Sequence, residues 1–146
     1  MRTFIGLLAS LFTAFANAAA DDLYRVSSNE MGISQFDFTV TEVERKPKAS
    51  VLEIPGFHDR SAPASRWMMC AYTDLAVKRG FSYWASVYPK LGNNQVILVF
   101  PSSERSDDPV FETMNVAEDD RHISAVAVFA RFCGIKVNPS AKKPNK

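Results

Sequence analysis

Residues 61–88 read SAPASRWMMCAYTDLAVKRGFSYWASVY, a helical period that gives way to a strand period at Gly80. Ser61 and Ser65 can each accept a hydrogen bond from a free first-turn amide, and Pro63 has no amide hydrogen to leave unpaired. The pattern therefore starts a helix between Ser61 and Ser65. Gly80, directly after Lys78 and Arg79, is the matching stop, because glycine enters the left-handed conformation cheaply and cations suit the negative helix end. At about 100° per residue, Met69, Tyr72, Thr73 and Ala76 share an arc flanked by Met68, Leu75 and Val77, the spacing of a core-facing helix. Trp67, Asp74 and Lys78 fall on the other side, which is expected to face water, and Cys70 lies at the border. Beyond Gly80 the period is two: Phe81, Tyr83, Ala85 and Val87 alternate with Ser82, Trp84, Ser86 and Tyr88. The first set is expected under the helix, and the second, with Trp84 and Tyr88, on the outer face.

The segment from Ala71 to Trp84, AYTDLAVKRGFSYW, resembles the helix and R-G-aromatic-x-aromatic strand unit of small bacterial envelope proteins, many of them lipoproteins. The resemblance implies an envelope location and an α+β fold, and it carries no activity. Unlike those lipoproteins, this chain has no cysteine in its leader to receive a lipid.

The leader itself occupies residues 1–20. Arg2 provides a positive start, Phe4 to Ala16 is apolar, and Ala16-Asn17-Ala18 or Ala18-Ala19-Ala20 supplies a small-x-small cleavage pattern. The apolar run is shorter than the ~20 residues that a spanning helix needs. Export to the periplasm or beyond, with cleavage near Ala18 to Ala20, is the expected outcome. About 126 of the 146 residues then remain, enough for one domain with a core of its own. Arg2 is the only charged residue of the leader, so the mature chain carries 16 basic and 16 acidic residues. That balance argues against general nucleic-acid binding, which draws on a basic surplus. No second long apolar run follows, so no membrane span is expected.

An exported chain with two cysteines reads first as carrying one disulfide, Cys70 to Cys133. The competing reading is two free, buried thiols.

Asp21 to Ser34 is polar and mixed, an irregular lead-in with a short strand near Leu23 to Val26. Phe36, Phe38 and Val40 alternate with Asp37, Thr39 and Thr41 as a strand, and a charged turn over Glu44 to Lys48 separates it from a second strand at Val51 to Ile54. Val96 to Phe100 is apolar throughout and reads as a central strand antiparallel to its predecessor. Ser102 to Asp120 reads as a long polar connection. In His122 to Cys133 the apolar residues satisfy either period; the reading adopted is a helix capped by Asp119 or Asp120 and stopped at Gly134. The tail 138–146 is basic and expected to be disordered. Residues 21–137 then form a single two-layer α+β domain, β-β-α-β-β-α, with one or two helices on one face of a mainly antiparallel sheet.

Chemistry is sparse. His58 and His122 are the only histidines, and with Asp59, Asp119 and Asp120 they lack any recognised zinc or calcium spacing, so no metal is expected. No nucleophile elbow, phosphate loop or dinucleotide fingerprint appears, and no cofactor is expected. The expected function is non-catalytic binding of an envelope protein, peptide or glycan through exposed aromatics: Trp84 and Tyr88 on the strand and Trp67 on the helix. A homodimer contact is a further use for such a patch. The alternative is a small periplasmic hydrolase built on His58 with Asp59, or on a free Cys70.

Overall fold

A computed structural model describes residues 22–89 and 93–138. The leader 1–20, most of the tail and part of the turn after Pro89 lie outside the described residues. Helix α1 (Ala62–Arg79) begins at Ser61, whose Oγ accepts from the Ala64 amide at 3.3 Å. It ends at Gly80, which sits at φ 78°. The Gly80 amide donates to the Val77 carbonyl and the Phe81 amide to the Ala76 carbonyl, so the last turn is closed by a paired capping motif.

Six strands form one sheet: β1 (Arg25–Ser27), β2 (Thr39–Lys46), β3 (Ala49–Glu53), β4 (Tyr83–Val87), β5 (Gln95–Val99) and β6 (Ser124–Ala125). Their order is β1-β2-β3-β5-β4-β6, and every neighbouring pair is antiparallel. With α1 and a C-terminal helix α3 (Val126–Cys133) on one face, this is the two-layer α+β architecture that the sequence implies. The order is richer than β-β-α-β-β-α, because β1 and the two-residue β6 extend the sheet at its two edges.

Strand β5 is covered on both faces. Val96 and Leu98, with Phe100 beyond the strand, join the main core under α1 together with Leu52 and Ile54. Ile97 and Val99 point the other way, into a second cluster with Ala85, Val110, Phe111 and Val116. The segment read as a polar connection, Ser102 to Asp120, supplies that cover: it folds into a short helix α2 (Pro109–Thr113) whose Val110 and Phe111 are buried. Only a few apolar side chains were needed, and they are scattered among seven acids, so hydropathy alone hid them.

Two face assignments are corrected. Trp84 lies on the helix side of β4 and is buried, whereas Ala85 and Val87 face the second cluster. The gap beneath α1 and α3 takes a large ring, and the indole N–H donates to Thr73 Oγ1 of α1 at 3.1 Å, which satisfies its one polar group. Trp67 is also buried. The lead-in folds back across the helix, bringing Phe36 to a ring separation of 6.0 Å and Met31 Sδ to 3.4 Å from the indole nitrogen.

Polar groups tie the sheet edge to α1. Strand β2 continues through the residues read as a charged turn, with a bulge between Glu42 and Glu44 that turns the Glu42 carboxylate inward. Buried Glu42 accepts from Ser50 Oγ at 2.6 Å, from the Tyr24 amide at 3.0 Å and from two Arg45 nitrogens at 2.6 and 3.0 Å. Burial alone would raise its pKa; these donors outweigh that and hold it below the usual carboxylate value. Arg79, at the end of α1, donates to the carbonyls of Lys46 and Ala49 and to Ser50 Oγ, and lies over the stacked Phe81 and Phe100 rings. On the opposite face of the sheet, beside Lys48, Asp108 caps α2. It is likewise held low, with burial opposing and Ser102, the Val110 amide and Lys48 prevailing.

Cys70 and Cys133 form a disulfide that joins α1 to α3 across a sequence separation of 63. On the chain-entropy account a loop of that size stabilises the fold by about 4 kcal/mol. Cys133→Ser is expected to lower the urea unfolding free energy by up to about that amount, with the amides of α3 exchanging ahead of those of β5. Unchanged stability and equal protection of both elements would contradict this.

Acid titration gives a second prediction. A carboxylate whose folded pKa is depressed adds stability above its unfolded value, about 4.3 for Glu, and that stability is lost as pH falls through the folded value. Glu42→Gln is expected to cost about 1–3 kcal/mol at pH 7 and to flatten the fall in stability on acidification below the unfolded value. An unchanged slope in urea titrations across that range would assign the acid sensitivity to other groups.

Candidate functional site

Helix α3 is launched from the sheet. Ser124 and Ala125 pair with Trp84 and Tyr83, and the Val126 amide donates to the Ser82 carbonyl at 2.9 Å. The helix therefore starts at Ala125 with no side-chain cap, and the expected caps Asp119 and Asp120 lie in a separate single turn, Glu118–Asp120. Gly134, at φ 65°, ends it as expected. Val126 and Ala130 are buried, Phe129 packs on the Trp84 ring at 5.5 Å, and Cys133 is bonded to Cys70.

Those contacts use up the inner face of α3. Val128 and Phe132, one turn apart, are 65% and 70% exposed. Residues four apart on a helix are neighbours on its surface, so the two side chains form one apolar ridge. Between this ridge and α1 runs a groove of about 260 Å³ lined by Arg66, Met69, Val128, Phe129 and Phe132. A second depression, of about 570 Å³, lies on the other flank of α3; Phe81, Tyr83, Val128 and the half-exposed Val137 are among its lining residues, with Glu104 as its acid. The ridge thus separates two largely apolar recesses. Among the described residues, Arg66, Arg131 and Lys136 are exposed and make neither an ion pair nor a side-chain hydrogen bond.

The residues singled out from the sequence are not brought together here. Trp84 and Trp67 belong to the core. Tyr88 is 43% exposed but lies elsewhere, stacked on Phe57 at 5.6 Å with the Arg60 guanidinium 5.4 Å from its ring centroid. Beneath it the buried Tyr72 hydroxyl has no hydrogen-bond partner of normal geometry among the described residues. Burial, followed by the nearby Tyr88 hydroxyl, pushes its pKa well above the ordinary phenol value. His58 is exposed, and its Nε2–H donates to the Asn93 carbonyl at 3.0 Å. No hydrogen bond joins His58 to Asp59 among the described residues, and Cys70 is held as a disulfide, not as a thiol. Among the described residues no group of three or more His, Cys, Asp or Glu side chains is placed to hold a metal ion, and no helix is long and apolar enough to cross a membrane.

Sequence reasoning missed Val128 and Phe132. Their signal was present in the apolar residues of 126–133, which satisfied both periods because they occupy more than one helical face. A helix of that kind buries one side and leaves the other uncovered. No protein-family model, curated protein or solved structure matches the chain.

The contrasting environments of Trp84 and Tyr88 are open to test. Trp84→Ala is expected to cost about 3–5 kcal/mol of unfolding free energy, and Tyr88→Ala well under half as much. Equal, small losses in urea titrations would return Trp84 to the surface.

Proposed function

We propose that this chain is an exported protein of the bacterial envelope whose folded domain acts by binding, taking a segment of another protein along the α1–α3 groove. The single observation behind this reading is the exposure of Val128 and Phe132 on a helix whose opposite face is buried and bonded. Such a ridge costs solvation in the free protein and stabilises a complex when covered. Export is supported by the leader pattern of residues 1–20, and the disulfide fits an oxidising compartment. The resemblance of Ala71 to Trp84 to small envelope proteins points to the same compartment. The binding face differs from the aromatic strand first read from the sequence, because the tryptophans are used internally.

A photo-reactive residue at position 132, introduced in cells that export the protein, is expected to give one adduct of defined mass, lost when Val128→Asp is added. The same probe at exposed Glu53 is expected to give none. Identical adducts from both positions would overturn the reading, as would an adduct of twice the chain's own mass, which would make the groove a contact between copies. The mature N-terminus, read from the exported protein by mass spectrometry, is expected just after Ala18 or Ala20; an intact leader would remove the export half of the proposal.

A further inference from the structure

We propose that the segment seated in the groove is an amphipathic helix bearing carboxylates beside its apolar stripe. The inference rests on the α1–α3 groove being the binding face. Three features of the surface lead to it.

The first is extent. The apolar lining of the α1–α3 groove consists of Val128 and Phe132 with the partly buried Met69 and Phe129, while Phe81, Tyr83 and Val137 lie on the far flank of α3. A stable contact between two folded bodies buries about 800 Å² on each, and four side chains, two of them half-covered, supply far less. One helix, which presents side chains at i, i+3 and i+4 to a groove, needs no more than this.

The second is shape. The groove is a recess between two helices held together by Cys70–Cys133, so apolar side chains enter from outside to meet Met69 and Phe129. A flat bilayer surface would engage a protruding ridge and leave this recess unfilled.

The third is charge. Arg66 lies at the α1 wall of the groove. At about 100° per residue, Arg131 falls next to Val128 on the side of α3 turned away from Phe129, so the apolar ridge runs between two cations. Neither arginine has an ionic partner among the described residues, and no acid lines the α1–α3 groove. Glu104, the acid of the neighbouring depression, lies on the far flank of α3. A second copy docked about a twofold axis would set the same cationic rim against itself. A helix with Glu or Asp on either side of its apolar stripe would instead meet an opposite charge at each edge.

The test uses the mature, oxidised protein and two fluorescein-labelled synthetic helices that share one leucine stripe, flanked by Glu in the first and by Lys in the second. Two rim pairs of the strength of exposed ion pairs predict that the Glu peptide binds roughly tenfold more tightly in fluorescence anisotropy. The gap is expected to close as salt rises from about 50 mM to about 500 mM. Arg66→Glu with Arg131→Glu is expected to reverse the preference while leaving the fold and the disulfide intact, since both side chains are exposed, with only a small fall in melting temperature from placing an acid in the last turn of α3. Equal binding of the two peptides would overturn the acidic partner and leave the groove reading standing. No binding of either peptide at millimolar concentration would overturn both. Tighter binding to phosphatidylglycerol vesicles than to the Glu peptide would overturn the proposal in favour of a lipid surface.

Discussion

The covalent bond between Cys70 and Cys133 is the constraint from which the rest of this surface follows. Helix α3 has only eight residues, too few to persist alone in water, and no side chain caps its start. It is held by Val126, Ala130 and Phe129 on the core side and by the disulfide at its last residue. Because the bond joins the middle of α1 to the end of α3, the two helices are kept together at that point while the chain stays oxidised, and the groove lies between them.

The sheet below is arranged to receive that pair of helices. Strand β5 divides its apolar side chains between two clusters, and α2 with its flanking loops covers the face that α1 and α3 leave open. At the edge of the sheet, Glu42 and Arg79 bind backbone and hydroxyl groups of the β2–β3 hairpin and so tie it to the end of α1. Buried Glu42 is met by Ser50, the Tyr24 amide and Arg45, and half-buried Arg79 by two carbonyls and Ser50, which is the condition for keeping ionised groups inside a protein. The packed interior contrasts with the outer face of α3, where Val128 and Phe132 stand beside Arg131, which has no ionic partner among the described residues.

The parts of the fold governed by near neighbours in sequence were legible from the start. Ser61, Pro63 and Gly80 mark the ends of α1 through local hydrogen bonds and backbone preference. The unbroken apolar run of β5 signals a strand covered on both sides, and the pairing of the two cysteines of the sequence needs no geometry to suggest. The face proposed for binding was not legible, and Trp84 shows why. Period two says that Trp84 and Ala85 lie on opposite faces of β4, but the face turned to the helices depends on which cavity has room for an indole and a hydroxyl to receive its N–H. Trp67 was misjudged for a related reason: its cover is Met31 and Phe36, more than thirty residues away.

By itself, then, the sequence determined the α+β class, the limits of the central helix, the antiparallel course of β4 and β5 and the identity of the bonded cysteines, because each depends on composition, period or a local cap. Tertiary structure alone decided which aromatics are buried, that a stretch rich in acids closes the second face of the sheet, and that Val128 and Phe132 are left uncovered. Exposure is a property of everything that packs against a residue, and those neighbours come from distant parts of the chain.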